Sequence, residues 1–147
     1  MKKNNVTNEL KFCLPARGEN EAVARAMVAA FAAQLNPTIA ELADVKCIVS
    51  EAVTNAIVHA YRDRAGGGEV YITVTCFRDR RVKITVKDTG CGIEDVEQAR
   101  RPLYTGHPEE ERSGMGFAVM ENFSDRMSVV SKPAHGTKVT LWKYLRG

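Results

Sequence analysis

A chain of 147 residues with 44% hydrophobic and 27% charged side chains has the length of one globular domain and the apolar content for a core, which excludes a two-domain enzyme and a disordered tail. Its 21 Lys and Arg against 18 Asp and Glu leave a net charge of +3, and the basic residues are scattered apart from Arg78-Asp79-Arg80-Arg81 and Arg100-Arg101, so nothing points to direct nucleic-acid binding. The longest apolar run, residues 26–33, is far short of the roughly 20 residues that span a bilayer, and no apolar segment follows Lys2 and Lys3 as in an export signal, which gives the expectation of a cytoplasmic protein with no membrane partner.

Leu10, Phe12 and Leu14 alternate with Lys11 and Cys13, the pattern of a half-buried strand, here ended by Pro15. Val23, Met27, Ala30 and Phe31, with Ala26 among them, recur at helical spacing and predict the apolar face of a first helix, with Asn36-Pro37 as its stop. Thr38-Ile39-Ala40-Glu41 is a capping box that opens a second helix. Its apolar face is predicted to run through Ile39, Leu42, Val45, Ile48, Val49, Ala52, Val53, Ala56 and Ile57, the helix lasting about six turns at 3.6 residues each up to a break at residues 61–68.

After Gly66-Gly67-Gly68 the period changes to two. Val70, Ile72, Val74 and Cys76, then Val82, Ile84 and Val86, predict a hairpin around a turn at residues 78–81. A further helix is predicted from about Gly116, followed by strands near residues 127–131 and 138–145. The element order βα-α-ββ-α-ββ predicts an α+β fold, a two-layer sandwich with helices on one face of a mostly antiparallel sheet. Residues 63–68 and 100–113 are the expected flexible segments. Cys13, Cys47, Cys76 and Cys91 contain no C-x-x-C pair, and a cytoplasmic chain of this size needs no disulfide staples, so all four are expected as thiols.

Chemistry gathers at four places. Glu51, Asn55 and His59 lie four apart on the second helix and form one polar stripe, which reads either as a solvated edge or as a ligand-facing one. Asp88 shares its parity with Val82, Ile84 and Val86, so it points to the face they bury, unless the strand bends at its end and leaves it wet. The D-x-G-x-G motif Asp88-Thr89-Gly90-Cys91-Gly92 is expected by chance only about 0.04 times in this length, and its glycines permit close backbone approach, for instance by a planar ligand. Ser113-Gly114-Met115-Gly116, beside the fork-shaped donor of Arg112, is a glycine turn entering a helix, an arrangement suited to phosphate. It is neither a Walker A loop nor a Rossmann fingerprint. The polar stretch between these glycine motifs, with Pro102, Gly106 and Pro108, reads as a lid over about residues 97–113. Thr137 in Gly136-Thr137-Lys138 reads either as part of a plain turn or as a hydroxyl that meets the ligand.

In this order, Glu51-Ala52-Val53-Thr54-Asn55-Ala56, Asp88-Thr89-Gly90-Cys91-Gly92-Ile93 and Ser113-Gly114-Met115-Gly116 resemble the N, G1 and G2 boxes of the GHKL superfamily (gyrase B, Hsp90, histidine kinases and MutL). The resemblance covers the whole of residues 1–147 as one domain and is closest to the anti-sigma F factors, serine kinases of sporulation. Ser50 to Ile57 with His59, Arg101-Pro102-Leu103-Tyr104-Thr105, Glu111-Arg112-Ser113-Gly114-Met115-Gly116-Phe117 and Met120-Glu121-Asn122-Phe123 carry it. Ala60 stands where relatives commonly have Gly, and Cys91 fills a variable position.

The resemblance implies ATP and Mg²⁺ as cofactors. It implies two coupled activities: holding sigma factor F inactive and phosphorylating a serine of the anti-anti-sigma factor SpoIIAA. It assigns Glu51 as base or hydroxyl-orienting group and Arg112 as its catalytic companion, Asn55 as Mg²⁺ ligand, and Asp88, Gly90, Gly92, Ser113, Gly114, Met115, Gly116 and Thr137 as nucleotide contacts. Arg25, by periodicity only a solvated residue, becomes a contact for both protein partners. A homodimer formed around the N-terminal strand and a forespore location are also implied. The alternatives are an anti-sigma B-type stress-response kinase and a nucleotide-dependent sequestering module without phosphotransfer.

Overall fold

A computed structural model of the chain describes residues 5–62, 64–101 and 116–147. Alternating apolar residues build five strands: β1 (Val6–Pro15), β2 (Glu69–Phe77), β3 (Arg81–Lys87), β4 (Arg126–Lys132) and β5 (Gly136–Tyr144). They lie in the order β1-β2-β3-β5-β4, and every pairing is antiparallel. The register puts Leu10 opposite Val74, Val74 opposite Ile84 and Ile84 opposite Leu141, so one apolar face runs across four strands. Thr73, Thr85 and Thr140 line up across the other face. The predicted two-layer α+β sandwich is the observed one.

The helices α1 (Asn20–Ala32), α2 (Ile39–Asn55) and α4 (Gly116–Phe123) cover the apolar face. Val45, Ile48, Val49, Ala52 and Val53 of α2 and Met120 of α4 complete one hydrophobic cluster with the inward residues of the sheet. Thr38 Oγ1 accepts from the Glu41 backbone N–H at 3.0 Å while the Glu41 carboxylate accepts from that of Thr38 at 2.9 Å. That is the predicted capping box, which ties down two amides that the first turn leaves unpaired.

Three local expectations are corrected. The buried residues of α1 are Ala24, Val28, Ala29 and Ala32, while Val23 is 44% exposed and Ala26 and Ala30 face out. Of the predicted inward residues, Phe31 packs against the core and Met27 is half-buried, whereas Val23, Ala26 and Ala30 yield the buried positions to Ala24, Val28, Ala29 and Ala32. The cause is composition: in an Ala-rich helix the hydropathy pattern is shallow, and close packing against α2 selects the alanine side. Ile39 is 91% exposed, so the apolar face of α2 begins a turn later than its periodicity predicts. Finally, α2 widens into a π-helical turn over Ala56–Ala60, which the 3.6-residue period carries no sign of. A short helix, α3 (Val96–Ala99), capped by Asp95 accepting from the Gln98 N–H at 3.0 Å, also went unforeseen. It occupies the start of the predicted lid; the remainder, residues 102–113, lies outside the described residues.

Candidate nucleotide site

The site lies where the C-terminal half of α2, the loop after β3, the start of α4 and the β4–β5 hairpin converge on a cavity of about 510 Å³. That is ample for a small ligand such as a nucleoside. Its wall carries Asn55 and His59 from the α2 side, Asp88 and Thr137 from the sheet, and Ile93 and Gly116. Of the polar stripe of α2, Asn55 and His59 face this cavity, while Glu51 lines the groove between α1 and α2.

Asp88 is 7% exposed. The parity argument holds: β3 delivers the carboxylate to the buried face. Its Oδ1 accepts from the backbone N–H groups of Gly90 at 3.0 Å and Thr137 at 3.2 Å, and the Asp88 N–H donates to the Thr137 carbonyl at 2.9 Å. Burial pushes the carboxyl above the ordinary carboxylate range, opposed by these two donors. Both hydrogen bonds fall on Oδ1, so Oδ2 is left as the acceptor available to a ligand N–H.

The glycines of the motif serve the chain first. A Cβ on Gly90 would sit 2.0 Å from the Ala60 carbonyl oxygen, and that same oxygen accepts from the Cys91 N–H at 2.7 Å. Ala60 ends the π-turn, and its carbonyl, left without an intrahelical partner as at any helix end, anchors the loop that follows Asp88. Gly92 has φ +74°, and a Cβ there would meet the Lys132 carbonyl oxygen at 2.2 Å. Ligand approach over these two glycines is therefore not what demands them. Replacing Gly90 by Ala forces backbone against backbone and is expected to cost about 1–3 kcal/mol of stability, read as a lower urea midpoint. An unchanged midpoint would contradict the close approach.

Tyr61 braces the same loop from the other side. Its hydroxyl donates to the Glu69 carbonyl at 2.6 Å and accepts from the Thr89 N–H at 2.9 Å, while Arg64 lies over its ring and donates to the Thr89 carbonyl at 3.1 Å. Sequence reasoning missed Tyr61 and Arg64; an aromatic next to a glycine-rich break is the only signal they offered.

At the other end of the cavity, a Cβ built on Gly116 would lie 3.2 Å from Asn55 Oδ1 and 3.4 Å from Glu51 Oε2. Glu51 and Asn55 therefore meet at the start of α4, where a helix end favours negative charge. Ser113, Gly114, Met115 and Arg112, assigned to phosphate, lie outside the described residues. Among the described residues no three His, Cys, Asp or Glu side chains gather as a metal cage. The Asn55 amide oxygen fits a hard cation whose other ligands come from phosphate and water.

Arg25 does not line this cavity. It pairs with Glu21 at 3.2 Å, Glu21 in turn accepts from the Ser50 hydroxyl, and Arg25 lines a shallow groove between α1 and α2 with Lys46, Ala26 and Glu51. All four cysteines are free thiols, as expected, and no helix among the described residues is long and apolar enough to cross a membrane.

A five-stranded antiparallel sheet, backed by helices that frame a cavity with a buried aspartate, defines a nucleotide-binding domain of the kinase-like ATPase type. The family model described as histidine kinase-like ATPase domain matches residues 14–143. The solved RsbU and RsbW domains of a Mycobacterium tuberculosis protein share this fold, at a TM-score of 0.69, with 22% identity over 95% of this chain and 33% of that one. The SiaB–SiaC complex from Pseudomonas aeruginosa does so at a TM-score of 0.64, with 11% identity over 94% of this chain and 89% of that one. The anti-sigma F factor of Bacillus licheniformis is 53% identical over 94% of this chain and 93% of its own length. That of Pasteuria penetrans is 53% identical over 99% and 94%. This chain belongs to the anti-sigma F factor family within the histidine kinase-like ATPases.

Proposed function

We propose that the protein is a serine kinase and sigma-factor inhibitor in one domain: it sequesters sigma factor F and, with Mg·ATP, phosphorylates a serine of an anti-anti-sigma factor of the SpoIIAA kind. The observation that carries this reading is one cavity lined by the buried acceptor Asp88 at one end and by Asn55 and Gly116 at the other, where Glu51 stands next to Asn55 against the start of α4 although it faces the neighbouring α1–α2 groove. One end suits an amino-bearing base and the other a phosphate chain and its cation. The names of relatives more than half identical over nearly the whole chain supply the partner.

Asp88 accepts from the base amino group through Oδ2, with the Thr137 hydroxyl beside it. Asn55 offers its amide oxygen to Mg²⁺, and Glu51, one turn earlier on α2, orients the partner's serine hydroxyl and receives its proton. Bound Mg·ATP supplies the transferable phosphoryl group and the neutralisation of its charge. Because phosphoryl transfer depends chiefly on positioning and charge stabilisation, Arg112 and the amides of Ser113, Gly114, Met115 and Gly116 contribute alongside Glu51. The chain works as a homodimer in the forespore cytoplasm. As an edge strand, β1 has a side open for such pairing.

The experiment is co-elution in size exclusion: the protein mixed with sigma factor F and Mg·ATP runs as one complex, and separate elution overturns the inhibitor half of the reading. Arg25→Glu reverses charge in the α1–α2 groove. It is expected to abolish capture of sigma factor F and of the anti-anti-sigma factor in a pull-down while ATP affinity stays within about twofold, since an exposed charge outside the cavity is largely screened. Retention of both partners would contradict the assignment.

A further inference from the structure

Ser131 was not singled out by its sequence, yet its hydroxyl is a junction of the site. It stands on the face of β4 that Met127 and Val129 turn toward the core, directly across from Thr137. Three groups surround Oγ: the Ile93 backbone N–H at 2.8 Å, the Gly136 carbonyl oxygen at 3.1 Å and the Thr137 hydroxyl at 2.8 Å.

A serine has one proton and two lone pairs to spend. The Ile93 amide can only donate, so it takes one lone pair. The Gly136 carbonyl can only accept, so it takes the proton. The remaining lone pair then requires the Thr137 hydroxyl to donate to Ser131. No other distribution satisfies all three contacts. The opposite one, with the Ser131 proton on Thr137, leaves the Gly136 carbonyl facing a lone pair.

The consequence reaches the cavity. Thr137 is a wall residue there, and with its proton turned to Ser131 its oxygen can offer the cavity only lone pairs. Its backbone N–H is spent on Asp88 Oδ1 at 3.2 Å. Asp88 Oδ2 is an acceptor as well. The floor of the cavity is therefore acceptor-only at both side chains.

We propose that Ser131 is a positioning residue that fixes the Thr137 hydroxyl as an acceptor and thereby makes the site select amino-purines over oxo-purines. This rests on the cavity being the nucleotide site. An exocyclic amino group supplies the donors such a floor needs, whereas a carbonyl oxygen at the same place sets acceptor against acceptor and leaves buried polar groups unpaired. Without the serine hydroxyl, the Thr137 proton is released to rotate toward the cavity and meet that carbonyl.

Calorimetry with Mg·ATP and Mg·ITP tests this on the full chain. The two differ at the purine 6-position as amino against oxo and at N1 as acceptor against N–H. The triphosphate of 6-methoxypurine riboside, which puts an oxygen at position 6 while N1 stays an acceptor, is therefore included and is expected to follow ITP. Wild type is expected to favour ATP, and Ser131→Ala to narrow the ATP/ITP ratio by about tenfold, the loss of one oriented hydrogen bond. Ser131→Thr, which keeps the hydroxyl, should restore the ratio. Thr137→Val should narrow it too, with no further narrowing in the double variant, because both act through one hydroxyl. A merely structural serine would lower the urea midpoint and weaken both nucleotides alike; an unchanged ratio in Ser131→Ala with intact ATP binding would overturn the proposal. Failure of wild type to bind ATP at all would instead overturn the nucleotide site on which it rests.

Discussion

Asp88→Asn is expected to weaken ATP binding by at least about a hundredfold, the loss of a charge-assisted hydrogen bond in a buried site, with the fold intact. The substitution is nearly isosteric. The Asn amide oxygen can still accept from the Gly90 and Thr137 N–H groups that now meet Asp88 Oδ1. Its NH₂ then replaces Oδ2, so a donor faces the donor of the base amino group. The fold itself should gain. Burial raises the Asp88 carboxyl above its ordinary range, so the native state holds that proton to higher pH than the unfolded chain does. Below the unfolded-state value of about 3.9 the carboxyl is neutral in both states and costs nothing; as pH rises through that value and past the native one, its ionisation reduces stability. At neutral pH the asparagine variant should therefore resist urea at least as well as wild type, and better by a margin that shrinks on acidification. Calorimetry showing wild-type ATP affinity in a folded variant would refute the adenine assignment.

Glu51→Gln is expected to keep ATP affinity within a few-fold of wild type and to lower phosphotransfer to the partner serine by about 10²–10⁴-fold, the range of a lost general base. The side chain is half-buried at the start of α4, next to Asn55, where glutamine keeps shape and hydrogen-bonding reach but cannot take a proton at neutral pH. The split between binding and turnover is the diagnostic feature. Single-turnover rates equal to wild type would remove Glu51 from the chemistry and leave positioning alone to carry the rate.

Most of this site was written in spacing and parity. Glu51 and Asn55 lie one turn apart on α2 because four residues nearly complete a turn, and Asp88 turns inward because strand side chains alternate strictly. The capping box at Thr38 and Glu41 is local chemistry and so is legible as such. What could not be read depended on which elements touch. The inward face of α1 was only partly legible, Phe31 correctly and Val23, Ala26 and Ala30 not, because alanines carry little hydropathy contrast and packing against α2 decided it. Gly90 and Gly92 looked like room for a ligand, but the atoms they make room for, the carbonyl oxygens of Ala60 and Lys132, belong to segments distant in sequence. The Ser131–Thr137–Ile93 junction exists only because β4 pairs with β5 beneath the loop after β3, a tertiary fact with no periodic trace. The π-turn at Ala56–Ala60 likewise left no trace in the 3.6-residue period.

The central claim is that the cavity serves phosphoryl transfer to a protein serine. Incubation of the purified protein with Mg·ATP and its anti-anti-sigma partner, followed by intact mass of the partner, tests it most directly. One phosphate on a single partner serine, absent when Glu51→Gln replaces wild type, is the expected result. An unmodified partner in the presence of demonstrable ATP binding would contradict the kinase account.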